Sequence, residues 1–398
     1  MRELVDVRFE YDVSFTDGVF NRENPLLCST LLSKGEARRH RAFAVVDRGV
    51  ADAWPGLAGA IEGYFEAHAA DLELIAAPLV VEGGEAAKND EETFRNILQC
   101  VHELRIDRHS YVLGIGGGAV LDVVGYAAAV AHRGLRLVRF PTTVLAQADS
   151  GVGVKNGINA FGKKNFLGSF APPFGVLCDV DFLKTLPVRE RIAGMSEAVK
   201  VALVRDGAFF GWLREHGAAL GRGESSAVVE LVRRSAELHL RHIATSGDPF
   251  EMGSARPLDF GHWAAHKLES LTSHRLRHGE AVAIGMAIDS LYSAHAGLTS
   301  PELADVVLEL LERIGFRLWD DALELRGSDG RLAVLEGLAE FREHLGGELT
   351  VTMLRNAGEG VEVHEVSEAG VLASLDVLRT RAQLRRSQRP TCEPESRR

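Results

Sequence analysis

The sequence predicts a two-part α/β protein: a parallel-sheet domain over residues 1–186, then a mainly α-helical domain over 187–383. Three observations carry this. Short apolar or β-branched runs alternate with helical periods in the first part, the pattern of strands joined by helical crossovers. After Pro187 they give way to long stretches with apolar residues at helical spacing. Glycine clusters fall where the first strands end, the side on which parallel sheets bind their ligands.

Taken in order, the expected strands are Ala42–Val46 (AFAVV), Pro78–Val81 (PLVV), Tyr111–Ile115 (YVLGI) and Leu135–Phe140 (LRLVRF), with helices over Glu91–Glu103 and Val120–Ala131. Pro141–Asn165, PTTVLAQADSGVGVKNGINAFGKKN, is too rich in glycine for ordinary core. It is expected to be a loop whose Asp149, Lys155, Asn159, Lys164 and Asn165 wrap an anionic, hydroxyl-rich ligand. A solvent loop uses the same residue types, so composition alone leaves both readings open. Asp181–Pro187 is the expected junction. Beyond it, Ile192–Val204, Ser225–Ala244, Phe260–Thr272 and Glu280–Ala296 read as helices and Leu349–Leu354 as a lone late strand. Leu384–Arg398, rich in Arg, Ser and Pro, reads as a disordered tail.

At 398 residues the chain exceeds the size at which single cores stop growing, so two domains are the natural expectation. Its net charge of -11 argues against general nucleic-acid binding but is compatible with a small phosphorylated substrate, for which a few converging cations suffice. The four cysteines, Cys28, Cys100, Cys178 and Cys392, form no CxxC pair and fit reduced thiols. No segment resembles a signal peptide or a membrane span, and a cytoplasmic location is the expectation.

Gly114-Ile115-Gly116-Gly117-Gly118 follows a strand and opens a helix that carries Asp122. Glycines there let backbone N–H groups approach a pyrophosphate, and the helix start adds positive potential. The full GxGxxG pattern is absent. Asp47 closes the AFAVVD strand, and Glu85 and Lys88 follow PLVV. Singly, each is also what a turn requires; at three successive strand ends they point to a nucleotide. Glu197, His262 and His278 are the best metal constellation, since two imidazoles and a carboxylate form a common catalytic zinc set. Fifteen histidines leave room for chance clustering. His262 and His266 share a helix face at i,i+4, as do Glu197 and Lys200 at i,i+3, whereas His239, His242 and His274 read as surface or supporting residues.

The segments GGGAVLD, RGLRLVRFPTTVLAQADSGVGVKNGIN, GKKN, AGMSEAVK, FGHWAAH and HGEAVAIGM, in this order, resemble the dehydroquinate synthase family, the sugar phosphate cyclases. The resemblance implies a Rossmann-like first domain, a helical second domain, bound NAD, a divalent metal such as zinc or cobalt, and a homodimer. By motif position, Glu197, His262 and His278 match the metal ligands. Asp149, Lys155, Asn165, Lys200 and His266 match substrate-contacting and proton-transfer residues, and Arg133 matches an arginine that reaches the phosphate from the partner subunit. Asp47, Glu85, Lys88, Gly116, Gly117, Gly118, Asp122, Thr142, Thr143 and Lys164 match cofactor-binding positions. The implied reaction is a transient oxidation of a ring hydroxyl by NAD, phosphate elimination, return of the hydride, ring opening and an intramolecular aldol closure, with no net redox change.

Departures from the family pattern bear on the substrate. Dehydroquinate synthases carry an Asn in an LNxGH motif; here PLDFGH places Asp259 there. A carboxylate facing a substrate carboxylate costs Coulomb repulsion, so Asp259 argues for a substrate ending in a neutral hydroxymethyl group. The preceding segment, SGDPFEMGSARPLD, lacks the usual basic position and sets Arg256 one place out of register, and the late lysine-rich stretch is replaced, leaving Arg342 and His344 as substitutes. Val154 and Asn156 stand where dehydroquinate synthases typically have Gly and Thr. In these departures the chain resembles the branch of the family that acts on sedoheptulose 7-phosphate, and that resemblance implies this substrate and a valiolone-type cyclitol product. The competing readings are 3-dehydroquinate synthase itself, a metal-dependent NAD alcohol dehydrogenase, and a non-catalytic binding protein.

Overall fold

A computed structural model of the chain describes residues 2–5, 7–89, 91–161, 163–245, 258–344 and 349–387, His344 by its backbone only. These fall into two units, one within Met1–Gly194 and Val228–Glu251, the other within Met195–Ala227 and Met252–Arg398.

Side-chain alternation along the strands decides the first unit. In β2 (His40–Asp47), Ala42, Ala44 and Val46 enter one apolar cluster with Leu113, Ile115 and Phe140, while Phe43 and Val45 enter another with Val112, Val124 and Leu137. Both faces are covered, as an all-parallel sheet requires. The other strands are β1 (Asp12–Thr16), β3 (Leu72–Leu74), β4 (Leu79–Val81), β5 (Tyr111–Gly116), β6 (Arg136–Pro141) and, after a hairpin, β9 (Gly175–Asp179). The order is β1-β9-β6-β5-β2-β3 with β4 also on β2, and every pairing is parallel. The four expected strands are present. β1, β3 and β9 lie outside the expected set and are three to five residues long.

Pro141–Asn165 is not the expected loop. It leaves β6, makes a single π-helical turn at Ala146–Ser150, and enters an antiparallel hairpin of β7 (Lys155–Ala160) and β8 (Lys163–Phe170). Its glycines serve close approach rather than looseness: a Cβ on Gly157 would lie 2.8 Å from the Leu167 carbonyl oxygen across the hairpin.

The helix expected over Ile192–Val204 is two, Val188–Ala193 and Ser196–Arg205, interrupted at Gly194. A Cβ on Gly194 would lie 2.6 Å from the Leu145 amide nitrogen, so the break is a backbone contact. Ser225–Thr245 is helical as expected, and its Ala236 packs with Val152, Val176 and Cys178 of the first unit. The second unit holds the expected helices as His262–Leu271 and His278–His295, together with Gly207–Arg222, Pro301–Ile314 and Glu368–Ser387. The late strand, β10 (Val351–Asn356), pairs antiparallel with β11 (Glu359–Val363). The last helix continues to Ser387, so the first four residues of the expected tail are helical and the remainder lies outside the described residues. Among the described residues no helix is long and apolar enough to cross a membrane.

Candidate metal and nucleotide sites

In the second unit three chain segments deliver one ligand each. Glu197 sits in the first turn of Ser196–Arg205, and His262 and His278 are the opening residues of their helices. Their ligand atoms lie within 4.8 Å of one another, with Nε2 of His262 and His278 at 3.7 and 3.5 Å from Glu197 Oε1. Gly261, at φ 81, turns the chain into the first of these helices, and a Cβ on Gly285 would come 1.9 Å from the Gly261 carbonyl oxygen. The two histidine-bearing helices therefore touch backbone to backbone. Buried Asp289 anchors the same turn, accepting from the Gly261 N–H and from Trp263 Nε1, both at 2.8 Å.

Glu269, absent from the sequence-derived set, lies with Oε2 3.2 Å from His278 Nδ1 and so orients the ring with Nε2 toward Glu197. Lys200 pairs with Glu197 Oε2. The His266 ring is exposed, 5.5 Å from that of His262 and 6.3 Å from that of His278 by centroid. Asp259 is half-buried, and its carbonyl accepts the His262 N–H at 2.9 Å. Arg342 is exposed; Arg256 and the His344 side chain lie outside the described residues.

Burial opposes ionisation of Glu197, but Lys200 and the two imidazoles outweigh it and hold the carboxyl well below its usual range. Burial and Lys200 push His262 well down. At His278 burial is overcome by the Glu197 and Glu269 carboxylates, which raise it to about 9. Glu197 Oε1 is buried with no hydrogen-bond partner. A buried acceptor left unpaired among two imidazole nitrogens is costly unless a cation satisfies it.

In the first unit, β5 runs through Gly116 into the helix Gly118–Val130, whose N-cap, Gly117, supplies no side-chain cap. The amides of that first turn are available to an anion. Backbone proximity explains the glycines: a Cβ on Gly116 would sit 2.9 Å from Val120 Cβ and 3.0 Å from Asp47 Cβ, and one on Gly118 would sit 2.5 Å from Ser150 Oγ. Asp47 caps Arg48–Ala53 through the Gly49 N–H at 2.8 Å, and burial raises its carboxyl above the usual range. Thr142 is buried with an unpartnered hydroxyl, whereas Thr143 Oγ1 accepts the Ala146 N–H at 3.1 Å.

Lys88 Nζ donates to Asp122 Oδ2 at 2.7 Å and to Asn165 Oδ1. Asn159, one of the residues expected to wrap a ligand, instead connects the rest. Its amide donates to Glu85 Oε1 at 2.8 Å and Asn89 Oδ1 at 2.7 Å, and its carbonyl accepts the Asn165 N–H at 2.8 Å. A residue expected against substrate, Asn165, thus shares one network with three expected against the cofactor. Asp149 Oδ1 lies 2.8 Å from Nδ1 of His239, which spacing alone had left without context. Lys155 and Lys164 are exposed on the hairpin, and Arg133 is exposed at φ 63 in the short turn Ala131–Arg133.

Comparison with known proteins agrees with this architecture. The family model described as 3-dehydroquinate synthase N-terminal matches residues 78–193, and that described as 3-dehydroquinate synthase C-terminal matches 194–329. The 3-dehydroquinate synthase of Roseobacter denitrificans is 37% identical, covering 76% of this chain and 82% of its own. The 2-epi-5-epi-valiolone synthase of Streptomyces glaucescens is 36% identical, covering 79% and 77%. A solved 2-epi-5-epi-valiolone synthase from Streptomyces hygroscopicus subsp. jinggangensis, with NAD+ and Zn2+ bound, matches with a TM-score of 0.83 at 29% identity, covering 96% of this chain and all of its own. Fold and relatives together define the class as that of the sugar phosphate cyclases. Within it, the chain belongs to the 3-dehydroquinate synthase family.

Proposed function

We propose that the protein is a phosphate-eliminating cyclase that converts a heptulose 7-phosphate, sedoheptulose 7-phosphate in preference to a carboxylated sugar, into a valiolone-type cyclitol. The observation that carries the substrate choice is Asp259, whose carbonyl is hydrogen-bonded to the N–H of the metal-site residue His262. A second carboxylate brought beside it is repelled, and a hydroxymethyl group is not. Similarity to the two valiolone synthases supports this choice.

The residues fit both groups the family uses. Glu197, His262 and His278 would hold a divalent cation such as zinc or cobalt, which satisfies the orphaned Glu197 Oε1. The uncapped Gly117–Gly118 turn, with Asp47, Glu85, Lys88, Asp122, Thr142, Thr143 and Lys164, would hold NAD. When bound, NAD supplies a reversible hydride acceptor and the cation an electrophile for a substrate oxygen.

The chain's own groups do the rest. Lys155, Lys200 and an Arg133 offered across a homodimer offset the charge of the departing phosphate. Asp149 and Asn165 hydrogen-bond substrate hydroxyls, the first braced by His239 and the second by Asn159. The exposed His266 imidazole, able to accept and to donate a proton, moves protons during ring opening and closure.

The second reading is 3-dehydroquinate synthase, favoured by the Roseobacter enzyme, whose identity to this chain matches that of the valiolone synthase within one per cent. Protein supplied with NAD and Zn2+ or Co2+ is to be incubated with each heptulose phosphate, with phosphate assayed and the product followed by NMR. Release from sedoheptulose 7-phosphate with formation of a cyclitol is expected; release from 3-deoxy-arabino-heptulosonate 7-phosphate alone overturns the substrate choice.

A further inference from the structure

β6 reads RLVRFP, and by hydropathy an arginine in the middle of a parallel strand covered on both faces is misplaced. Arg139 is completely buried. Its guanidinium is hydrogen-bonded to no carboxylate among the described residues. Nη1 donates to the carbonyls of Gly151 at 3.2 Å and Gly153 at 2.8 Å, and Nη2 donates to the carbonyl of Lys155 at 3.0 Å and to Asn156 Oδ1 at 2.6 Å. Asn156 extends the set, its Nδ2 donating to the carbonyls of Val154 at 3.2 Å and Ala171 at 3.1 Å. Four carbonyls within Gly151–Lys155 are thus tied by two side chains. Space for them is provided in the helix above: a Cβ on Gly125 would lie 1.7 Å from Asn156 Oδ1 and 3.4 Å from Arg139 Nη2.

We infer that Arg139, with Asn156 seated over Gly125, is a positioning residue that holds the backbone of Gly151–Lys155 in one conformation and thereby sets where the Lys155 ammonium is presented. Turns of the composition Gly-Val-Gly-Val sample many conformations, and the other restraints on this segment act on single residues, as where Val152 packs in an apolar cluster and its carbonyl accepts from the Tyr11 hydroxyl at 2.9 Å, whereas Arg139 ties Gly151, Gly153 and Lys155 to one another. A planar fork with five donors can serve four divergent oxygens at once; a lysine at the same depth is a point charge that reaches fewer of them. The inference deepens the cyclase reading, since it rests on Lys155 contacting the sugar phosphate.

The test is hydrogen–deuterium exchange by mass spectrometry on the full chain, combined with kinetics of phosphate release, for Arg139→Lys and Asn156→Ala. In Arg139→Lys, amide exchange across Gly151–Asn156 is expected to rise about tenfold with β5 unchanged. Turnover is expected to fall about 100-fold, since misplacement by an ångström costs that much, while affinity for NAD alone, by calorimetry, stays within about twofold. Asn156→Ala keeps the guanidinium and three of its four acceptors, so it covers the case in which Arg139→Lys fails to fold, with a smaller rise in the same segment. Exchange that is unchanged there, or that rises equally through the sheet, overturns the inference. Local exchange that rises in a protein whose parent releases phosphate from neither heptulose supports the role of Arg139 and refutes the cyclase reading, so the two are separable.

Discussion

Gly285→Ala tests how the candidate metal site is assembled. In an exposed helix interior this change stabilises, because alanine is favoured over glycine by about 1 kcal/mol. Here the sign reverses. The added Cβ would meet the carbonyl oxygen, carbonyl carbon and Cα of Gly261, the oxygen at 1.9 Å, where real Cβ contacts essentially never fall below 3.0 Å. The atoms met on Gly261 are backbone and cannot swing aside, so the two helices must separate by about 1 Å. Overpacking of this kind costs roughly 1–3 kcal/mol, enough to cancel the propensity gain and lower the melting temperature by a few degrees. The greater effect falls on the ligands, because Gly261 directly precedes His262 and Gly285 lies two turns beyond His278 in its helix. Metal geometry tolerates about 0.2 Å, so zinc affinity should fall by about tenfold or more. Competition against a chromophoric chelator measures this, with circular dichroism reporting the folded fraction. Gly211→Ala is the control: it is helical, nothing lies within 4 Å of its added Cβ, and it should be neutral or stabilising. A Gly285→Ala protein that binds zinc as tightly as its parent would refute the claim that this backbone contact sets the triad.

Three further outcomes are expected. Glu197→Gln removes the only carboxylate of the triad, and bound metal per chain, by elemental analysis, should drop sharply together with turnover; near-normal turnover removes the metal assignment. Asp259→Asn relieves the repulsion of a substrate carboxylate, so the ratio of kcat/KM for 3-deoxy-arabino-heptulosonate 7-phosphate to that for sedoheptulose 7-phosphate should rise about tenfold, equivalent to about 1.4 kcal/mol; an unchanged ratio means the side chain does not face the substrate. Burial pushes the Asp289 carboxyl up to about 7, against the hydrogen bonds from Trp263 and Gly261. A raised acid favours its protonated form in the folded state, so its contribution is full below about pH 4 and is lost as pH climbs toward 7, by an amount on the order of 4 kcal/mol at most. Denaturant midpoints at pH 5 and 7.5 should therefore differ more for the parent than for Asp289→Asn, and an equal difference in both counts against it.

The fold was legible wherever an element is long and its burial is one-sided or complete. β2 and β5 hold apolar runs at their centres, and β6 holds one interrupted by Arg139, because both faces of the sheet are covered, and the helices opened by His262 and His278 carry apolar residues at helical spacing. The hairpin of β7 and β8 was misread for a physical reason. Glycine signals a turn when φ is positive, yet Gly157 and Gly168 are there because the opposing backbone is too close for any Cβ, a contact that only pairing reveals. Pro301–Ile314, absent from the expected helices, has its start marked in the sequence by Ser300, which caps Leu303, and by Pro301 in the first turn.

Residues that carry ligand chemistry are readable because their types are unusual in sequence, whereas those that aim them are ordinary until the chain folds. Glu197, His262 and His278 stood out as a metal donor set, but Glu269 looked like any helical glutamate until its carboxylate met His278 Nδ1. Asn159 reads in sequence as a ligand-wrapping residue of its own segment, yet its partner Glu85 is 74 positions away. Arg139 is the limiting case. Hydropathy places a lone arginine at a strand edge or in solvent, and only the sheet order, which puts β6 between β5 and β9, shows that it cannot be there. Its burial is then tolerable only because carbonyls of the glycine-rich segment turn inward to meet it, so the strand and the Gly151–Lys155 backbone specify each other's conformation.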